Sequence, residues 1–196
     1  MKKLNVLVAC EYSGRVRDAF IRRGHNAVSC DFLPSESKFG PHFQYSVKEV
    51  DLWRFDLMIC HPPCTYLASS GLHWNKRIEG REKLTEEAVE FCKWLMNCGI
   101  KRIAMENPVG ALSSRYRKPD QIIQPWMFGE DASKKTCLWL KDLPPPGSYR
   151  NNHKRKIRKP NCQWAEQAWS ISRPLENPFN NLLRDCRSYG FSVGLI

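Results

Sequence analysis

The 196-residue sequence lacks the marks of membrane, secreted and repeat proteins. No apolar run approaches the roughly 20 residues that a helix needs to cross a bilayer. The short apolar stretch near the start is followed by Glu11, Arg15 and Arg17 rather than by a small-residue cleavage site, so it predicts a strand and not a signal peptide. No internal repeat or low-complexity segment stands out. We therefore expect a soluble globular protein without a membrane partner.

Paired CxxC units, which would suggest a zinc site, are also missing, although the chain has nine cysteines. The closest spacings are Cys60 to Cys64 and Cys92 to Cys98. An odd number of cysteines scattered through apparent strands and helices does not make a disulfide framework either. The pattern predicts no metal site, a reducing cytoplasmic location and mostly buried thiols.

Acidic residues are scarce relative to basic ones. The chain has 20 Asp and Glu against 31 Lys and Arg, which gives a formal net charge of +11 and a pI near 9.3. Clustered Lys and Arg gain affinity for phosphates by releasing counterions, so this charge favours a polyanionic partner such as DNA. The densest basic run spans residues 150–159, and it is equally compatible with a solvated tail that keeps the protein soluble.

Apolar segments of strand and helix length alternate along most of the chain. They predict strands at 5–10, 26–30, 56–60, 101–105 and 135–140, and helices at 13–23 and 82–97. This alternation predicts an α/β fold with a mostly parallel sheet and helices on both faces. Residues 34–45 are predicted to be a loop because they are polar and interrupted by Pro and Gly. The predicted apolar face of the second helix consists of Leu84, Ala88, Phe91 and Leu95.

A run of three prolines at 144–146, followed by Gly147, marks a boundary. We expect residues 1–146 to form one catalytic domain. Residues 147–196 are a basic, Trp-containing segment whose weak periodicity predicts no fold.

Polar or reactive residues follow four of the predicted strands. They are Glu11, Tyr12, Ser13 and Gly14 after the first, Asp31 after the second, His61 to Cys64 after the third, and Glu106 and Asn107 after the fourth. Ligands of open α/β sheets bind at these carboxyl ends. Asp31 either accepts hydrogen bonds from a nucleoside ribose or forms a turn. Gly14 would let a ligand approach the backbone closely, although the chain lacks a full GxGxxG motif.

Cys64 has the sequence context of a nucleophile. Pro62 and Pro63 stiffen the loop before it and project its side chain from the sheet, which a cysteine used only for packing does not need. Glu106 is predicted to lie at the same rim, where a carboxyl group beside a thiol could donate a proton to a heterocycle. The alternative is that Glu106 occupies a surface turn. His61 is compatible with an active-site role or with a backbone-capping one.

These motifs resemble those of the cytosine-5 DNA methyltransferase family. The family has PPC(Q) and ENV where this chain has HPPC at 61–64 and AMENPV at 104–109. The opening VLVACEYSGRVRDAFIRRGHNAVSCD is similar to the cofactor motif of the family, and the resemblance covers about residues 4–140. Short phage-encoded members are also similar. The resemblance implies a Rossmann-like methyltransferase fold, S-adenosylmethionine as cofactor and DNA as substrate.

The mechanism of this family assigns roles to individual residues. The Cys64 thiolate would add to carbon 6 of cytosine while Glu106 hydrogen-bonds nitrogen 3, and carbon 5 would then accept the methyl group. A base inside a duplex would first be flipped out. The implied cofactor-binding residues are Glu11, Tyr12, Ser13, Gly14, Asp31, Phe32, His61 and Pro62. The implied substrate-binding residues are Pro63, Asn107, Lys135 and Thr136, with Lys134 beside them.

The chain also departs from the family pattern. Ser46 stands where an Asp normally accepts from the adenine amine, and Thr65 replaces the usual Gln after the cysteine. A carboxy-terminal GNSVP-like motif and a target-recognition domain are missing, so strict sequence selection would need another source. Two alternatives to DNA methylation therefore remain. One is a degenerate fold that binds nucleic acid or a nucleotide without turnover, for example as an anti-defence decoy. The other is an enzyme acting on free pyrimidine nucleotides; the oligomeric state is open.

Overall fold

The computed structural model describes residues 3–128 and 132–145, so the basic segment at 147–196 lies outside the described residues. The strands are β1 (Asn5–Ala9), β2 (Asn26–Cys30), β3 (His42–Phe43), β4 (Leu57–Cys60), β5 (Arg102–Pro108), β6 (Gln121–Ile123) and β7 (Thr136–Lys141). The α-helices are α1 (Arg15–Arg22), α2 (Arg81–Asn97) and α3 (Leu112–Arg115). Short 3-10 helices lie at Val47–Glu49, Leu52–Arg54, Leu72–Lys76 and Pro125–Phe128.

The described strands form one sheet in the order β3-β2-β1-β4-β5-β7-β6. The pairs from β3 to β5 are all parallel, whereas β7 runs antiparallel to both β5 and β6. The chain order reverses between β1 and β4. Ligands of open α/β sheets bind at such a reversal, outside the carboxyl ends of the strands.

Both faces of the sheet are buried because successive side chains of each strand point to opposite sides. On β1, Leu7 and Ala9 pack in the cluster that contains buried residues of α2. Val6 and Val8 pack in the other cluster, with Phe20 of α1. The predicted α/β class with helices on both faces is confirmed, and the mostly parallel sheet fits the Rossmann-like methyltransferase fold that the resemblance implies.

The buried face of α2 differs from the predicted one. Leu84 is 40% exposed, whereas Thr85 is fully buried and its hydroxyl donates to the Tyr66 carbonyl at 3.0 Å. A threonine whose hydroxyl is hydrogen-bonded can face the core. The hydrophobic pattern counts threonine as a polar residue, so it does not assign Thr85 to the buried face. The face that packs on the sheet includes Thr85, Val89, Cys92, Leu95 and Met96.

Two short strands were not predicted. β3 lies within the segment predicted to be a loop, and β6 has three residues. Strands of this length are too short to show a period of two, so hydrophobic alternation cannot detect them. The predicted strand at 135–140 is confirmed as β7. In the described part of the chain, no helix has both the length and the apolar character to span a membrane.

Candidate active site

The loops after β4 and β5 are joined to each other by backbone hydrogen bonds. The Ser69 N–H donates to the Val109 carbonyl at 3.0 Å, and the Ala111 N–H donates to the Leu67 carbonyl at 2.8 Å. Ala68 and Gly110 form an antiparallel bridge between them. A Cβ at position 110 would lie 1.8 Å from the Leu67 oxygen, so the close approach requires glycine there. The two loops therefore form one unit at the rim of the sheet.

Asn107 provides a second link between β5 and the loop after β4. Its side-chain amide donates to the Pro62 carbonyl at 2.7 Å, and the side chain is almost fully buried. Proline offers no N–H, so its carbonyl is the backbone group available for such a link. This bond fixes the HPPC loop relative to β5, one residue after Glu106.

Cys64 is half-buried at the end of this loop. Its carbonyl accepts hydrogen bonds from the N–H groups of Leu67 and Ala68, both at 2.9 Å, which starts a turn directly after the cysteine. Pro62 is buried and Pro63 is exposed, so the loop leaves the sheet between them. The backbone around Cys64 is thus fixed on both sides, by the prolines before it and by the turn after it.

His61 and Glu106 are paired at the ends of adjacent parallel strands. The register places Cys60 opposite Met105, and one residue further His61 Nδ1 lies 3.3 Å from Glu106 Oε2. Both side chains are about a quarter exposed, at 27% and 24%, so the pair borders the solvent. The other ring nitrogen of His61, Nε2, is buried and has no hydrogen-bond partner among the described residues.

The electrostatics of the pair favour a proton on the imidazole. Burial alone lowers the pKa of His61. The hydrogen bond to Glu106, the charge of Glu106 and the charge of Glu11 outweigh burial and raise the pKa of His61 above its ordinary value. His61 is therefore charged to a higher pH than a solvated histidine.

The Glu11 carboxylate makes hydrogen bonds to other groups of the protein. It accepts hydrogen bonds from the N–H groups of Val16 at 2.7 Å and Arg17 at 3.3 Å, and from the Ser13 hydroxyl at 3.2 Å. Glu11 therefore caps the N-terminus of α1, where a carboxylate is favourable. Burial raises the pKa of Glu11, while the His61 charge and these hydrogen bonds act in the opposite direction.

Gly14 and Tyr12 also make contacts within the protein. Gly14 is buried with φ +73, and a Cβ there would meet the Arg17 guanidinium at 2.4 Å and the Ser37 side chain at 2.9 Å. The Tyr12 carbonyl accepts from the Glu36 N–H at 2.9 Å. The loop after β2 thus lies against the loop after β1, and the close approach at Gly14 is made by the protein itself. Cofactor binding by these residues stays a prediction.

Asp31 and Phe32 lie at the rim directly after β2. Asp31 is partly exposed, and its Oδ1 accepts from the Leu33 N–H at 3.0 Å, which is a turn contact. The Phe32 ring is 73% exposed beside it. A carboxylate can accept from ribose hydroxyls, and an exposed ring can stack on a base. Ser46, further along, caps the short helix Val47–Glu49.

The residues predicted to contact substrate near β7 differ in accessibility. Lys134 and Lys135 are exposed, whereas Thr136 is only 1% exposed and lies between Pro108 of β5 and Ile123 of β6. Lys135 therefore lies at the same rim as Glu106. The Thr136 side chain is part of the packed sheet.

The sequence pattern does not by itself pair His61 with Glu106. A signal is nevertheless present, because aligning the apolar residues 58–60 and 103–105 as parallel neighbours puts the next two residues side by side.

The chain resembles known proteins in its three-dimensional structure but not in its sequence. No protein-family model matches the chain, and no curated protein matches it in sequence. The crystal structure of S. pombe Dnmt2 methyltransferase is similar, with a TM-score of 0.45, 16% identity and coverage of 70% of this chain and 48% of that one. The structure of Entamoeba histolytica methyltransferase EhMeth is similar, with a TM-score of 0.48, 14% identity and coverage of 82% and 58%. The chain therefore spans less than two thirds of the length of either protein.

Proposed function

We propose that the protein is an S-adenosylmethionine-dependent methyltransferase that modifies carbon 5 of cytosine in DNA through a covalent adduct with Cys64. The observation that carries this proposal is the link between the two strand ends. Asn107 binds the Pro62 carbonyl at 2.7 Å, so the proline-mounted Cys64 and the partly exposed Glu106 belong to one rigid rim. A nucleophile and an acid held on one rim are what addition to a heterocycle needs.

The chain's own residues can carry out the difficult part of this reaction. The Cys64 thiolate forms a bond to carbon 6, and the electrons of the carbon 5–carbon 6 double bond move through the ring toward nitrogen 3. Glu106 hydrogen-bonds nitrogen 3 and gives it a proton. The ring is then an enamine with a nucleophilic carbon 5. After methylation, carbon 5 loses its proton to water, the double bond re-forms, the thiolate leaves, and nitrogen 3 returns its proton to Glu106.

Asp31 and Phe32, at the rim after β2, have side chains suited to binding the cofactor. S-adenosylmethionine, when bound, supplies a methyl group from its sulfonium centre. Asp31 would accept from the ribose hydroxyls, and the exposed Phe32 ring would pack on the adenine. Glu11 and Gly14 support this part of the site indirectly, because they fix the start of α1 and the loop between β1 and α1.

The choice of DNA as substrate rests on the family resemblance and on the net charge of +11. A protein with this charge is attracted to the phosphate backbone regardless of sequence. Lys135 lies at the rim on the β7 side, where it could contact a phosphate.

Methyl transfer and adduct formation test the proposal together. The full chain is incubated with labelled S-adenosylmethionine and DNA, and separately with S-adenosylmethionine and DNA carrying 5-fluorocytosine. Fluorine at carbon 5 cannot leave as a proton does, so we expect a stable protein–DNA adduct that peptide mass spectrometry locates at Cys64. Cys64→Ser should abolish both signals, whereas Cys98→Ser, at another half-buried cysteine, should keep them.

The same experiment separates the alternatives. DNA binding by both the parent and Cys64→Ser without transfer by either would favour a binding protein without turnover. Transfer to dCMP or to an RNA oligonucleotide, but not to DNA, would contradict DNA as the substrate and leave the chemistry at Cys64 intact.

A further inference from the structure

His61 has no part in the reaction described above, although it is the side chain in hydrogen-bond contact with Glu106. It lies one residue beyond β4, with Nδ1 3.3 Å from Glu106 Oε2. The carboxylate of Glu11 is held on the N-terminus of α1 and also acts on the ring through its charge. One imidazole thus interacts with two carboxyl groups from two other elements.

We propose that His61 positions Glu106 and supplies the proton that Glu106 passes to nitrogen 3 of the base. This inference rests on the proposed function, because it concerns the addition step at the same site. His61 is a positioning residue in this scheme, since Glu106 and not His61 contacts the base.

The proton balance of the addition step requires a source for this proton. When the thiolate adds to carbon 6, nitrogen 3 takes a proton from Glu106, and Glu106 takes one from His61 Nδ1. Glu106 ends the step in its starting form, and the imidazole is neutral. When the thiolate leaves, nitrogen 3 returns its proton to Glu106 and Glu106 returns one to His61. Nothing is oxidised or reduced.

The charges around the pair are suited to such a cycle. With both carboxylates ionised and His61 protonated, the three side chains carry a net charge of −1. A partly buried cluster disfavours net charge, so these groups together retain protons. The pKa shifts agree with this expectation, since the pKa values of His61 and Glu11 are both raised.

Two buried thiols close to Glu106 stay neutral around pH 7. Cys60 and Cys137 lie within electrostatic range of Glu106, from β4 and β7. Burial raises the pKa of both thiols. These thiols therefore do not supply the proton that the addition step needs.

The pair also provides a store of protons near the base. An ordinary His keeps its proton up to about pH 6.5, and the contacts with Glu106 and Glu11 raise the pKa of His61 above that value. The short distance between Nδ1 and the Glu106 carboxyl group is the route by which this proton reaches the base.

The addition step can be isolated by measuring tritium release from carbon 5. Reversible attack at carbon 6 makes the carbon 5 proton exchangeable, so DNA with tritium at that carbon releases label to water without cofactor. We expect His61→Asn to lower this rate about 100-fold at pH 7.5, within the usual range for general acid catalysis. The Asn amide can still donate to Glu106 but does not titrate.

The pH profile distinguishes proton supply from a merely structural role. In the parent the rate should fall at high pH through the raised pKa of His61, and in His61→Asn this fall should be absent from that pH range. His73→Asn, at a histidine in the Leu72–Lys76 helix, should behave as the parent. A His61→Asn profile that matches the parent would overturn the inference. Absence of exchange by the parent would instead contradict the proposed function.

An NMR titration of the histidine rings tests the pair without activity. In the parent protein we expect His61 to titrate above its ordinary pKa, and in Glu106→Gln to titrate lower, because the charge and the accepting carboxylate are lost. An unchanged titration in Glu106→Gln would overturn the inference even if His61→Asn fails to fold.

Discussion

At the scale of single residues, Arg17 is the side chain that holds together the loops after β1 and β2. Its guanidinium is fully buried and pairs with Asp18 at 2.7 Å. It also donates to the Ser29 hydroxyl at 2.9 Å and to the Ser37 carbonyl at 3.1 Å, so it ties the loop after β2 to α1. The helical pattern could not predict this role, because Arg17 reads as a solvated residue between the apolar positions Val16 and Ala19.

Removing the Arg17 guanidinium should destabilise the folded protein. We expect Arg17→Ala to lower the free energy of unfolding by about 3–5 kcal/mol, because it leaves Asp18 as a buried carboxylate without its partner. Urea unfolding followed by circular dichroism measures this change. The control is Arg54→Ala, which removes an exposed pair with Asp51 and should cost about 1 kcal/mol or less. Equal effects of the two substitutions would contradict the assigned role of Arg17.

At the scale of secondary-structure elements, the sequence predicted more of the fold than of the site. Continuous apolar runs such as 57–60 are typical of buried parallel strands, so the order of the major elements along the chain could be predicted. The joining of the loops after β4 and β5 could not, because it depends on backbone hydrogen bonds such as Ser69 to Val109. Residue types alone do not encode such bonds.

Because the two loops are joined at Gly110, even the addition of a methyl group at this position should be unfavourable. Gly110→Ala should destabilise the protein by about 1–3 kcal/mol, as overpacking does, because the Leu67 oxygen occupies the space for a Cβ. It should also slow adduct formation at Cys64, three residues before Leu67. Thermal unfolding and the 5-fluorocytosine assay report the two effects.

Gly71→Ala is the matched control for this prediction. Position 71 has a negative φ, and the nearest atom to its Cβ would be the flexible end of Arg81 at 3.2 Å. We therefore expect a small effect on both measurements. A Gly110→Ala variant as stable and as reactive as Gly71→Ala would show that the loops move independently.

At the scale of the whole molecule, the stability of the fold depends on pH through the paired site. The pKa of His61 is raised in the folded state, so folding is favoured when the ring is protonated. This contribution is complete below the ordinary pKa of about 6.5 and is lost as the pH rises through the raised value. The raised pKa of Glu11 acts in the same direction.

Chemical denaturation across this range provides the measurement. Between about pH 6 and pH 8.5, the free energy of unfolding of the parent should fall with rising pH, with the window set by the raised pKa of His61. His61→Asn should show a shallower dependence, because the titrating group is gone. A steeper or equal slope in His61→Asn would mean that another group governs the stability of the fold in this range.

The place of Glu106 within β5 has a consequence for how a substrate could reach it. Glu106 is paired with Leu138 of β7, and the preceding residue, Met105, is paired with β4, so the acid is held within a paired strand at the rim and is not part of a hinge. Bringing it toward a distant atom would break strand pairing. A substrate that reacts at Glu106 must therefore travel to a fixed carboxyl group, and it is the substrate rather than the protein that changes its conformation.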